Sequence, residues 1–332
     1  MWVLIIAETR RETGGNGAAV GAAERERLDV LTRSLMSVSE IPRIKSLIMD
    51  HRLSRPVVER FVAGDGLEDA MDAITKLNQS GIGGILDLLG EGVNDPEGAS
   101  QAADEYLGSI KRIEETGIDT TVSIKLTQLG LAFDKSGCID YVRRLATEAR
   151  SIGSHIEIDM EQSAFVGDTL EVYRALRDDF DDIRLAMQAY LRRTPSDLQA
   201  MAGLRPKIRL IKGAYSEPSE VAVQKKGEID AQFAWLTDWL FDNGSDPAIG
   251  THDDALIDHC KAAADRAGVG KEGFELQLLY GIRRDLQQRL ADAGYRTRVY
   301  VPFGSAWYPY LMRRMAERPA NLRFFLRALA GG

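Results

Sequence analysis

Several things are scarce in this chain, and each scarcity removes a class of function. Its 332 residues hold two cysteines, Cys138 and Cys260, and four histidines. Two thiols cannot build a disulfide framework, and they suit a reducing compartment. There is no His-Glu-x-x-His and no Cys-x-x-Cys. In Thr251-His252-Asp253-Asp254 the histidine closes a strand, while His259 and Cys260 fall inside the next helix. No metal site is expected from so few ligands, and no Ser-His-Asp set suggests acyl transfer. Basic excess is missing too: 42 Lys and Arg stand against 50 Asp and Glu, a net charge of −8, so no nucleic-acid partner is expected. No apolar run approaches the ~20 residues of a membrane-spanning helix. Met1-Trp-Val-Leu-Ile-Ile-Ala lacks both the basic flank and the length of a signal peptide. A soluble cytoplasmic protein is the expectation.

What is present is organised. The run Gly14-Gly-Asn-Gly-Ala-Ala-Val-Gly21 reads as a linker, so residues 1–25 are expected to be a flexible tail. The glycine spacing is wrong for a dinucleotide fingerprint, and no βαβ unit follows it. Residues 26–332 are expected to form one domain, beginning with helices around Leu35–Met49 and after Pro56. Short β-rich runs then begin at Gly84, Thr121, His155, Arg184, Lys207, Pro247, Phe274 and Thr297. Amphipathic stretches separate them at 100–116, 139–152, 168–178, 196–202, 219–243, 253–267 and 282–293. Eight strands alternating with helices are the sequence form of a (β/α)8 barrel, although a doubly wound open sheet also fits the alternation.

In such a barrel, the C-terminal ends of the strands surround the active site. The groups expected there are Glu91, Lys125, Asp159, Gln188, Arg209 with Lys212, His252, Gln277 and Tyr300. After the last strand, Tyr310, Arg313, Arg314 and Glu317 recur at i, i+3, i+4 and i+7, one face of a helix. Two neighbouring guanidiniums offer planar forks that suit a carboxylate. Lys125, Arg209, Lys212, Arg313 and Arg314 face Asp159, Glu91 and Glu317, so the mouth reads as locally basic and ready for a carboxylate and a phosphate. In Lys212-Gly213-Ala214, small residues let backbone amides approach that phosphate closely. Two rival readings stay open: a Schiff-base lyase or aldolase using Lys125, and a non-catalytic barrel that binds an amino acid or flavin.

Taken in order, the strand-end motifs resemble the proline dehydrogenase family over most of the chain, from about residue 55 to 325. The resemblance is carried by Leu88-Leu-Gly-Glu91, Ser123-Ile-Lys125-Leu, Ile158-Asp159-Met160-Glu161, Gln188-Ala-Tyr190 and Arg209-Leu-Ile-Lys-Gly-Ala-Tyr215. It continues through Thr251-His252, Phe274-Glu-Leu-Gln277-Leu-Leu279-Tyr-Gly281 and Tyr300-Val-Pro-Phe-Gly to Tyr310-Leu-Met-Arg313-Arg314 and Glu317. It implies a distorted (β/α)8, or TIM, barrel with extra N-terminal helices, holding FAD without a Rossmann domain.

The implied reaction is oxidation of L-proline to Δ1-pyrroline-5-carboxylate by hydride transfer from proline C5 to flavin N5. It is the first step of proline catabolism to glutamate, and the electrons pass to a quinone. Residue by residue, the resemblance gives Asp159 and Arg209 to the catalytic pair, and Lys125, Arg313 and Arg314 to the substrate carboxylate. Tyr310, Tyr300 and Leu279 would pack the ring. Met160, Gln188, Lys212, Gly213, Ala214, Thr251, His252 and Glu317 would bind the cofactor. Ser216 stands where the family often carries an aromatic residue. A separate pyrroline-5-carboxylate dehydrogenase is the implied partner for the product. A quinone acceptor also implies peripheral contact with the inner face of the cell membrane, and the basic, amphipathic stretch 318–327 suits either that surface or the barrel's own.

Overall fold

The computed structural model describes residues 58–90 and 92–317, without the side chains of 313–317. The expected tail, most of the expected N-terminal helices, Glu91 and the 318–327 stretch lie outside the described residues. So do the side chains of Arg313, Arg314 and Glu317.

In chain order the elements are helix α1 (Leu67–Gln79), strand β1 (Gly83–Leu88), α2 (Pro96–Thr116), β2 (Thr120–Ile124), α3 (Lys135–Ser151), β3 (Ile156–Ile158), α4 (Val166–Arg177) and β4 (Arg184–Gln188). They continue with α5 (Thr194–Gln199), β5 (Ile208–Ile211), α6 (Lys226–Asn243), β6 (Ala248–Gly250), α7 (Asp254–Arg266), β7 (Glu275–Leu279), α8 (Arg284–Asp292), β8 (Thr297–Phe303) and α9 (Trp307–Glu317). Local chemistry sets several boundaries. Asp95 caps α2 by accepting from Gly98 N at 2.8 Å, with Pro96 in the first turn. Asp134 does the same for α3 from Gly137 N at 2.9 Å.

All eight strands are parallel and pair in sequence order, and β8 closes onto β1 from Gly83↔Arg298 to Leu88↔Phe303. This is the expected barrel, and closure rules out the open sheet. Outward-facing Leu86, Val122, Ile158, Leu185, Leu210, Ile249, Leu276 and Val299 form one apolar shell with the inner faces of the helices. Strands paired on both edges and covered by helices bury these side chains fully.

The barrel interior is different, because strand alternation turns polar side chains inward. Arg184, fully buried, lies 3.1 Å from Glu275, 3.5 Å from Glu157 and 2.8 Å from Asp246. Arg298 meets the same Glu275 at 3.0 Å. Gln277 Nε2 donates to Glu157 at 3.1 Å and to Glu275 at 2.7 Å. Because β3 and β7 are not neighbours, the Gln277–Glu157 bond crosses the barrel. Glu275 and Arg184 open their strands, so this layer sits at the N-terminal pole. Gln277, expected at the mouth, belongs to this layer instead. Buried ions need partners, and here the partners are other strands.

Candidate functional site

One layer nearer the C-terminal ends, Asp159 collects donors from several strands. Its carboxylate accepts from Ser123 Oγ at 2.8 Å on β2, from Tyr300 OH at 2.6 Å on β8, and from Arg209 Nη2 on β5. Lys125 Nζ, one residue beyond β2, lies 3.1 Å away. Burial alone would raise the Asp159 pKa. The charges of Lys125 and Arg209, with the hydroxyls of Tyr300 and Ser123, outweigh it and hold the group down at about 2. Asp159 is therefore an anion at any working pH. Arg209 sits over the Tyr300 ring, 5.4 Å from its centroid, and its other nitrogen meets Glu157 at 3.4 Å.

Lys125 is also paired with Asp87 Oδ1 at 2.5 Å. Asp87 is 1% exposed. Burial, joined by repulsion from Asp159, pushes its carboxyl up despite the lysine. Burial works against the Lys125 ammonium, but Asp87, Tyr300 and Asp159 more than offset it and raise its pKa well above the usual value. An amine held protonated in this way is a poor nucleophile, which counts against Schiff-base chemistry.

The far side of the mouth is built from the ends of β3 to β7. Gln188 donates from Nε2 to Glu161 O at 2.9 Å and accepts from Ala214 N at 3.3 Å, so one amide joins the loops after β3 and β5. Glu161, next to buried Met160, accepts from Thr127 N at 3.0 Å and from its hydroxyl at 2.5 Å. Gly213 has φ +125°, and a Cβ there would lie 2.2 Å from the Tyr190 ring, so only glycine brings the backbone to this place. Lys212 pairs with Asp230 at 2.5 Å and Asp253 at 3.5 Å. The amide of Asp253 donates to Thr251 Oγ1 at 3.2 Å. His252 Nε2 accepts from Leu279 N at 2.9 Å, which leaves the ring proton on Nδ1. After Tyr215, Glu217 grips Ser163 N at 2.7 Å and Ser163 Oγ at 2.6 Å, and Ser216 is exposed.

The structure thus joins Asp159, Arg209, Lys125 and Tyr300 directly. The Gln188 amide links Glu161, which follows Met160, to Ala214, which follows Gly213, and Lys212, Thr251, His252 and Leu279 stand at the neighbouring strand ends. Tyr310 is buried on α9, which runs as a helix through positions 313, 314 and 317. Asp87 and Ser123 were missed as site groups. For Asp87 a signal existed: one carboxylate inside the apolar run Gly84-Ile-Leu-Asp87-Leu must find a cation. The described mouth also differs from the basic one expected. Asp87 and Asp159 answer Lys125 and Arg209, while Asp230 and Asp253 answer Lys212.

A family model described as proline dehydrogenase matches residues 70–327. A proline dehydrogenase of Deinococcus radiodurans is 38% identical over 305 residues, spanning 90% of this chain and 98% of that protein. The chain belongs to the proline dehydrogenase family. Membership makes it an oxidoreductase of proline catabolism. Proline dehydrogenase 1 of Bacillus subtilis is likewise 38% identical, over 81% of this chain and 89% of its own. Among solved structures, proline utilization A from Bdellovibrio bacteriovorus, inactivated by N-propargylglycine, matches with a TM-score of 0.75. The identity is 23%, so the likeness is one of fold; it covers 84% of this chain and 34% of that longer one.

Proposed function

We propose that the chain oxidises L-proline to Δ1-pyrroline-5-carboxylate with FAD held at the barrel mouth and a quinone as final acceptor. The observation that carries this reading is the Asp159 hub, which joins Lys125 just beyond β2, Arg209 on β5 and Tyr300 on β8 within a chain of this family. The donor set fits the cofactor: the Gln188 amide, the Lys212 ammonium, the Thr251 hydroxyl and the His252 ring stand at the ends of β4 to β6, beside a loop that Gly213 lets close onto Tyr190. Gln188, Lys212, Thr251 and His252 would hold it. Bound FAD would supply the two-electron acceptor that no side chain provides.

The protein's part is position and charge. Lys125, with Arg313 and Arg314, would take the proline carboxylate, and Leu279, Tyr300 and Tyr310 would enclose the ring. The Arg209 cation offsets negative charge that develops near it. Asp159, with three hydrogen-bond donors, the Lys125 ammonium 3.1 Å away and a pKa near 2, is a poor base. It orients Lys125, Arg209 and Tyr300 and leaves the amine proton to solvent. Among the described residues no helix is long and apolar enough to cross a membrane.

Anaerobic titration with proline tests this reading. The purified protein is expected to be yellow and to bleach with proline, and a quinone analogue should restore the colour. A colourless protein that borohydride traps with a keto substrate would instead support the lyase.

A further inference from the structure

Lys125 is placed by a residue that lies outside the family motifs quoted above. An ammonium has three N–H donors. Asp87 Oδ1 accepts one of them at 2.5 Å, and Asp159 Oδ2 lies 3.1 Å away as an ion pair, so these two carboxylates engage at most two and leave at least one. Asp87 stands near the end of β1, in register with Ser123 on β2 and Pro302 on β8, and is buried. Lysine has a long, flexible stem and no built-in orientation, so the direction of its last donor depends on what holds the first two. Asp159 cannot hold it alone, because the same carboxylate also serves Arg209, Tyr300 and Ser123.

We propose that Asp87 is a positioning residue for substrate: gripping Lys125 from within the barrel, it directs the remaining ammonium N–H to the proline carboxylate. This rests on the reading of Lys125 as a carboxylate contact. Charge and position make opposite demands here. Lys125 and Arg209 are balanced by Asp87 and Asp159, so removing the Asp87 charge leaves this group more positive. By attraction alone, Asp87→Asn would bind a carboxylate more tightly. If Asp87 acts by position, the same change binds it more weakly.

The test compares purified, flavin-loaded wild-type and Asp87→Asn proteins. Proline KM and kcat are measured, together with the dissociation constant of tetrahydrofuran-2-carboxylate, which keeps the ring and carboxylate but lacks the amine. The expected result is a rise of about tenfold or more in both KM and that constant, with kcat held within about threefold. Tighter or unchanged binding, or a loss confined to kcat, overturns the assignment. Should Asp87→Asn fail to fold, Lys125→Met and Lys125→Met/Asp87→Asn give the answer, since the double variant buries no lone charge. The two are expected to bind the analogue equally, and a further loss in the double variant would show that Asp87 acts other than through Lys125. Wild-type protein that neither turns over proline nor binds the analogue would sink the functional reading itself, a result distinct from an active wild type with an indifferent variant.

Discussion

Tyr300→Phe removes one oxygen and keeps the ring beneath Arg209. The lost hydroxyl donates to Asp159 Oδ2 at 2.6 Å, and a hydrogen bond to a charged group contributes ~1.5–3 kcal/mol. At ~2–4 °C per kcal/mol for domains of this size class, the melting temperature at neutral pH should fall by roughly 3–12 °C. The effect should also depend on pH, with a definite sign. Asp159 titrates near 2 when folded against an ordinary 3.8, so its depressed pKa contributes roughly 2 kcal/mol. A depressed carboxylate stabilises above its unfolded value, and that stability is lost as pH falls through the folded one. Without the hydroxyl the folded pKa rises and the contribution shrinks. The gap between wild type and variant should therefore hold level from pH 7 to about pH 5 and narrow below about pH 4, as pH falls to the raised folded pKa of the variant and on toward that of the wild type. Thermal unfolding followed by circular dichroism from pH 3 to 7 measures it. A gap that stays constant across that range, or no gap at all, would refute the account of Asp159 as a carboxylate held ionised by its donors.

The remaining predictions address other layers of the same barrel. Arg184→Met strips the buried cation from Glu157, Glu275 and Asp246 and should cost about 3–5 kcal/mol in urea unfolding. Proline KM should stay at the wild-type value, and a wild-type urea midpoint would contradict the lower layer's role. Gly213→Ala demands a strained φ and a 2.2 Å approach to Tyr190. The ratio of flavin to protein after purification should drop, and a full complement would remove Gly213 from the cofactor site. Arg313→Met should weaken proline binding by roughly 2–4 kcal/mol, the loss of a charge-assisted pair. An unaltered KM and kcat/KM would take Arg313 out of substrate recognition.

The barrel was legible because each parallel strand, buried on both faces, reads as a short apolar run between turns. Boundaries were less so. α3 begins at Lys135 because Asp134 caps it, four residues before the apolar spacing starts. Residues 219–225, which look helical, instead lie against the loop after β4, where Val223 N donates to Tyr190 O at 2.8 Å and Leu191 bridges Ala222. That pairing is tertiary and leaves no local mark. The same holds within the site. Asp159, Arg209 and Lys125 stand in motifs at strand ends, but their counter-charges sit inside apolar strands. Glu157 in Ile156-Glu157-Ile158 looks like an isolated blemish until Gln277, 120 residues away, is found against it.

Those hidden carboxylates change what the mouth can do. Burying Lys125 and Arg209 without partners would be prohibitive, and replacing the whole cluster with apolar side chains would often be neutral or stabilising. Stability alone therefore does not explain it. What the cluster supplies is a set of cations that cannot turn, each held between Asp159 and a second carboxylate, Asp87 for Lys125 and Glu157 for Arg209. Their charge is already answered, so they offer direction more than net attraction. A substrate that carries both an amine and a carboxylate gains little from a bare positive field, since its two ends respond oppositely. It gains from one donor aimed at its carboxylate while the rest of the site stays nearly neutral. The remaining attraction must come from cations outside this balanced set, which is the part the family resemblance gives to Arg313 and Arg314. Under the proposed function, the direction of the Lys125 donor is set inside the barrel core by Asp87 and Asp159.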